Sequence, residues 1–167
     1  MTIEMKIVDL QPSHYEAVKE IYEQGIATGN ATFQTEAPSW DEWDKSHLKN
    51  CRFVAVDENE NVIGWAALTP VSGRCVYSGV AEVSVYVHSS HWGKGVGKRL
   101  LEELIGESEK QNLWTLQAGI FPENKASLKL HEQLGFRKVG YREKIGKMKN
   151  VWRDTVLLER RSKTVGV

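Results

Sequence analysis

Apolar and polar positions along this chain switch between two periods, and the switches mark its elements. Alternation of period two reads as strands over 5–9, 53–57, 62–69, 80–88 and 114–120, the fourth being the valine-rich run Val80-Ala81-Glu82-Val83-Ser84-Val85-Tyr86-Val87. The polar run Glu58-Asn59-Glu60-Asn61 makes the second and third strands a hairpin. A period near 3.6 reads as helices. Ala17, Val18, Ile21 and Tyr22 share a face behind Ser13 and Glu16, spaced as a capping box; Ser39 and Glu42 repeat that spacing before Trp43 and Leu48. Val96, Leu100, Leu101, Leu104 and Ile105 form the stripe of a helix that packs on a sheet, and 124–134 is a fourth helix with Gly135 as its stop. Residues 136–139 and 151–157 complete the sheet as an antiparallel pair. No repeat, linker or low-complexity run interrupts the pattern, which predicts one α+β domain over residues 1–167.

Composition narrows the class. An apolar fraction of 41% in 167 residues is enough for a core that needs neither disulfide nor metal. Lys+Arg and Asp+Glu both number 22, so no global positive field exists to hold nucleic acid, and the late cluster Lys144, Lys147, Lys149 has no interleaved aromatics to change that. Cys51 and Cys75 lack the paired spacing of a zinc site, and no metal is expected. Cys75, among Gly73, Arg74 and Val76, lacks the neighbouring histidine of an activated thiol. The first residues have no apolar signal core and no run is long enough to span a bilayer, so a cytoplasmic protein is expected, without membrane contact.

The chemistry concentrates after the valine strand, in Gly93-Lys94-Gly95-Val96-Gly97-Lys98-Arg99. Glycines at alternate positions let backbone amides approach phosphate oxygens, a helix starting there adds its free N–H groups, and cationic side chains lie on the same turn. The run is not a Walker loop, because Trp92 and Arg99 stand where glycine and a metal-binding hydroxyl are required. Nor is it a dinucleotide fingerprint, because Lys98 and Leu100 fall at the sixth position of the two possible frames.

Residues 92–97 resemble instead the acetyl-CoA loop of the GNAT N-acetyltransferases, Gln/Arg-x-x-Gly-x-Gly/Ala, with Trp92 departing at the first position. Residues 124–136, ending Leu130-His131-Glu132-Gln133-Leu134-Gly135-Phe136, resemble the second signature of that superfamily. Together with 30–36, 80–87 and 152–154, they make the chain similar to the phosphinothricin and methionine sulfoximine N-acetyltransferase branch. The resemblance implies a mixed central sheet with a strand pair splayed at a bulge and helices on both faces. It implies acetyl-CoA as co-substrate, a small amino acid or analogue as acceptor, direct attack in a ternary complex, and a homodimer.

The resemblance also implies roles. Backbone groups of Val85, Tyr86 and Val87 would pair with the pantetheine arm, Gly93, Lys94, Gly95, Val96, Gly97 and Lys98 would hold the pyrophosphate, and Asn124 and Ser127 would complete the cofactor site. Glu82 would be the base; from the residues alone it reads rather as a solvated edge glutamate. His131 would protonate the departing thiolate, against the plainer reading of a packed helix histidine. From side-chain chemistry rather than the resemblance, Arg74 would clamp the acceptor's carboxylate, with Phe33 and Tyr77 as walls, against a surface arginine and core aromatics. Gln34 and residues 147–151 depart from the herbicide-acetylating pattern, so a general amino-acid acceptor fits as well as phosphinothricin. A different amine (polyamine, peptide or protein N-terminus) and a non-catalytic CoA-binding sensor are the alternatives.

Overall fold

A computed structural model describes residues 3–167. In chain order it contains β1 (Met5–Asp9), α1 (Tyr15–Thr28), α2 (Trp40–Ser46), β2 (Phe53–Asp57), β3 (Val62–Pro70), β4 (Val80–Val87), α3 (Val96–Lys110), β5 (Thr115–Ile120), α4 (Lys125–Gln133), β6 (Arg137–Met148) and β7 (Val151–Arg161). The strands make one mixed sheet in the order β1-β2-β3-β4-β5-β7-β6, in which only β4 and β5 run parallel.

Alternation along the strands divides the core between two faces. Val54, Val56, Trp65 and Ala67 meet Val18 and Ile21 of α1 and Trp43 of α2. Ala55, Ala66, Leu68, Leu116 and Leu158 meet Val96, Leu100, Leu101 and Leu104 of α3, with Leu128, Leu130 and Leu134 from the α4 segment packed at the margin. Helices therefore flank both faces, as the resemblance implies. Leu100, Leu101 and Leu104 are fully enclosed, and truncating any one to alanine costs about 2–5 kcal/mol.

The second capping box is present: Ser39 Oγ accepts from Glu42 N–H, and the Glu42 carboxylate accepts from Ser39 N–H. The first is not. Pro12 opens a single 3-10 turn, Pro12–His14, capped by Gln11 with His14 answering through Nδ1, and α1 begins only at Tyr15. Proline suits a first turn because its missing N–H would be unpaired there anyway, and it shifts the cap from Ser13 to Gln11. The helix α2 ends at Ser46, short of Leu48, because His47 is extended and Leu48 N–H turns to the Leu68 carbonyl.

The final hairpin departs most from expectation. Strands β6 and β7 span twelve and eleven residues, far beyond 136–139 and 151–157. Register shifts at Lys138/Gly140 and Arg142/Gly146 absorb the residues that break the alternation. The reversal is a two-residue turn at Lys149 and Asn150, both at positive φ, the handedness that matches strand twist.

Candidate active site

The sheet opens in its middle. Strands β4 and β5 pair only over Val80–Glu82 and Thr115–Gln117; beyond that β5 continues against β7 to Ile120, while β4 continues to Val87 against β3 alone. The expected splay is present, but the β3–β4 register runs unbroken from Gly64/Val87 to Pro70/Ala81, so no bulge produces it. The hydrogen bond from His88 N–H to the Ile63 carbonyl fixes which residues face which neighbour. In an antiparallel ladder the paired residues alternate, so Tyr86 and Ser84 turn their backbone groups to β3, and Val85 and Val87, beyond the last β5 pair, turn theirs into the opening. Assigning the Tyr86 backbone to a pantetheine arm is therefore corrected: its N–H and C=O belong to the β3 ladder. Its ring stacks between Tyr22 and Trp65, at centroid distances of 5.0 and 4.9 Å, and burial pushes its hydroxyl pKa up.

The glycine loop closes one mouth of the opening. Gly93 and Gly95 have φ of +75° and +83° with open space where a Cβ would project, so their requirement is conformational. Gly97 differs: a Cβ there would lie 3.3 Å from Leu130 Cδ2 and 3.5 Å from Val87 Cγ2, so its bareness lets α3, α4 and β4 converge. Gly95 is the N-cap of α3, leaving the first-turn amides of Val96, Gly97 and Lys98 directed outward beside the exposed Lys94, Lys98 and Arg99. The base of the loop is tied to α1, where Gln24 Oε1 accepts from Ser89 N–H at 2.9 Å.

Glu82 occupies the last paired position before the opening, half-buried, and accepts a hydrogen bond at 3.0 Å from Gln117 Nε2, its register partner on β5. Gln117 is paired in turn with Glu159, whose carboxylate accepts from Arg137 Nη2 at 2.7 Å. A polar row thus crosses β4, β5, β7 and β6. Sequence reasoning missed Gln117, because nothing local marks a residue whose partner lies 35 positions away.

His131 lies on α4 at 4% exposure, edge-on to Phe136 with ring centroids 5.1 Å apart. Its Nδ1–H donates to the Ser127 carbonyl at 2.7 Å. Burial holds its pKa below the ordinary imidazole value, against the opposing effect of that bond, so the ring is neutral near pH 7. Asn124 is the N-cap of α4: Oδ1 accepts from Ser127 N–H, and Nδ2 donates to the Asn30 carbonyl, both at 3.2 Å.

The three residues expected around the acceptor do not gather in one place. Phe33 packs edge-on to Phe121 at 4.8 Å and reaches Gly146 of β6. Arg74 stands 5.5 Å over the Tyr77 ring on the exposed loop before β4. Tyr77 lines a cavity of about 510 Å³ with Val80, Thr115, Gln117, Glu159 and Arg161. Gln117 and Phe121 are four residues apart, a strand distance of about 13 Å, so Glu82, bonded to Gln117, adjoins the Tyr77 group and the Phe33 group lies further along β5.

Arg153 organises the Phe33 group. Its guanidinium donates to the Gly29 carbonyl at 2.8 Å and to Asn30 Oδ1 at 2.9 Å, lies 3.4 Å from a Glu123 carboxylate oxygen, and sits 4.1 Å over the Phe121 ring. It joins β7 to the α1–α2 loop and the β5–α4 turn. The alternating pattern of 151–157 marks its strand, but not partners more than 120 residues away.

Cys51 is buried with its thiol pushed up to about 12, unsuited to nucleophilic work, and Cys75 is exposed. Among the described residues no group of His, Cys, Asp or Glu is placed to hold a metal ion, and no helix is long and apolar enough to cross a membrane.

The model of the acetyltransferase (GNAT) family matches residues 15–136. The chain is 38% identical over 149 residues to YwnH of Bacillus subtilis, provisionally a phosphinothricin acetyltransferase, covering 87% of this chain and 91% of that one. It is 29% identical over 147 residues to the L-methionine sulfoximine/L-methionine sulfone acetyltransferase of Salmonella typhimurium, covering 86% of each. Its fold is similar to the crystal structure of the phosphinothricin acetyltransferase of Sinorhizobium meliloti in complex with AcCoA, with a TM-score of 0.88, 28% identity, and coverage of 99% of this chain and 91% of that one.

Proposed function

The chain belongs to the acetyltransferase (GNAT) family, and from that premise we propose that it transfers an acetyl group from acetyl-CoA to the amino group of a small amino acid or analogue, of the methionine sulfoximine, methionine sulfone or phosphinothricin type. The observation that carries this reading is the place of Glu82, held by Gln117 where the paired part of β4 ends and its free edge begins. An acceptor amine must be neutral to attack, and a carboxylate at that point takes its proton through a water. The amine then attacks the thioester carbonyl directly, and the Val85 N–H, directed into the opening, stabilises the developing oxyanion. The first-turn amides of α3, with Lys94 and Lys98, hold the pyrophosphate.

His131 packs the end of α4 instead of delivering a proton, since a neutral ring whose Nδ1–H is committed to Ser127 has no second proton to give. The thiolate is protonated from solvent. Asn124 holds α4 and the Asn30 loop together, and through them the wall that Phe33 provides. Arg74 and Tyr77, beside the cavity that Gln117 lines, receive the acceptor's carboxylate and side chain. The resemblance further supports a homodimer acting in the cytoplasm.

Thiol release from acetyl-CoA, measured across phosphinothricin, methionine sulfoximine, methionine sulfone, the common L-amino acids, a polyamine and a peptide amine, tests the reading. Turnover concentrated on the amino acids and their analogues is expected. Preference for the polyamine or the peptide would assign a different acceptor, and silence despite acetyl-CoA binding would make the domain a sensor.

A further inference from the structure

The free edge of β4 is not wholly free. Val87 directs its carbonyl into the opening, and Trp92 Nε1–H donates to that carbonyl at 2.9 Å. A donor on this oxygen lies where the N–H of an added strand would lie. The Trp92 side chain is otherwise loosely held: the residue is 56% exposed. Gly93 follows at φ +75°, and neither Gly93 nor Gly95 has any atom within 4 Å of its Cβ position to restrain the loop. Trp92 also occupies the position at which the sequence departs from the Gln/Arg that begins the loop pattern.

We infer that Trp92 is a built-in competitor for the acyl-donor arm: its indole N–H takes the last carbonyl of the β4 edge, and the amide chain of an incoming acyl-CoA must displace it to pair along the full edge. This rests on the reading that the edge receives that arm. The displaced indole returns to water, where its N–H is satisfied, so the cost of entry is the net worth of one neutral hydrogen bond and the gain from removing it is bounded accordingly. The contact acts on the arm alone. Ligands that reach only the glycine loop and the α3 N-terminus do not meet it.

The test is Trp92→Phe, which keeps an aromatic ring at an exposed position and deletes the donor. Calorimetry should give an acetyl-CoA dissociation constant about three- to tenfold lower than that of the wild type. Adenosine 3′,5′-bisphosphate, which carries no pantetheine arm, should bind both proteins equally. Unchanged or weaker acetyl-CoA binding would overturn the inference, and so would an equal gain for both ligands, which would place the effect in the phosphate loop. Absence of acetyl-CoA binding by wild type and variant alike would instead remove the reading of the edge on which the inference rests.

Discussion

At the scale of single residues, the proposed chemistry rests on Glu82 and the side chain that holds it. Glu82 is disfavoured by strand propensity and is kept half-buried by one bond from Gln117. Glu82→Gln retains that contact's shape and removes the proposed base, so kcat should fall by about 10²- to 10³-fold with acetyl-CoA affinity changed little. Steady-state kinetics with parallel calorimetry checks this, and equal turnover in the two proteins would end the assignment. Gln117→Leu frees the carboxylate to rotate and should produce a smaller loss, carried by kcat rather than by the KM for the amine. The proposed direct attack uses no thiol, so Cys75→Ala should retain full activity.

Among elements, the informative object is the α1–α2 loop, which no helix or strand of its own holds in place. Arg153 anchors it through Gly29 and Asn30, Asn124 accounts for the Asn30 carbonyl, and Phe33 lies against Phe121. A guanidinium making several bonds while covering a ring leaves unpaired acceptors when truncated, a penalty of about 1–3 kcal/mol. Arg153→Ala should therefore lower the melting temperature, speed amide exchange over 29–33, and raise the KM for the acceptor while leaving the acetyl-CoA dissociation constant alone. A rise in the latter instead would mean that the loop serves the donor side. Arg153→Lys should not restore the contact, because an ammonium cannot span Gly29, Asn30 and the ring together.

For the whole molecule, pH acts through imidazoles withdrawn from water, His131 buried and His47 half-buried, with His91 lowered in the same direction. His47, stacked 4.0 Å from Trp43, and His131 both have pKa values lowered by burial, each against an opposing hydrogen bond to a backbone carbonyl. Above about pH 6.5 they are neutral in folded and unfolded chains alike; below it the unfolded chain binds protons that the folded one refuses. Stability should be full above that pH and be lost as pH falls through it, by at most about 1.4 kcal/mol per pH unit for each histidine. The carboxylates with lowered values, Asp44, Asp57, Asp154 and Glu109, act in a lower range. Urea unfolding between pH 7.5 and 5.5 should therefore show falling stability in the wild type and a flatter slope in His131→Gln. Equal slopes would show that the buried ring does not control it.

What the sequence determined by itself is what depends on neighbours in the chain: strand alternation, the α3 stripe, the Ser39 capping box, the two signatures and the glycines of the loop before α3. Backbone geometry and side-chain periodicity are local, so a local pattern specifies them. Even there a competing local signal won once, when Pro12 moved the first cap to Gln11. The extent of β6 and β7 was hidden because bulges interrupt the alternation that would have marked it. Only the tertiary structure decided that Tyr86 faces β3 and Val87 the opening, since parity along β4 is set by its register with β3. It alone brought Gln117 to Glu82 and Arg153 to Asn30, separated Phe33 from Tyr77, and committed the Nδ1 proton of His131. Each of these depends on which strands become neighbours and where their pairing stops, a property of the folded sheet that no single segment carries.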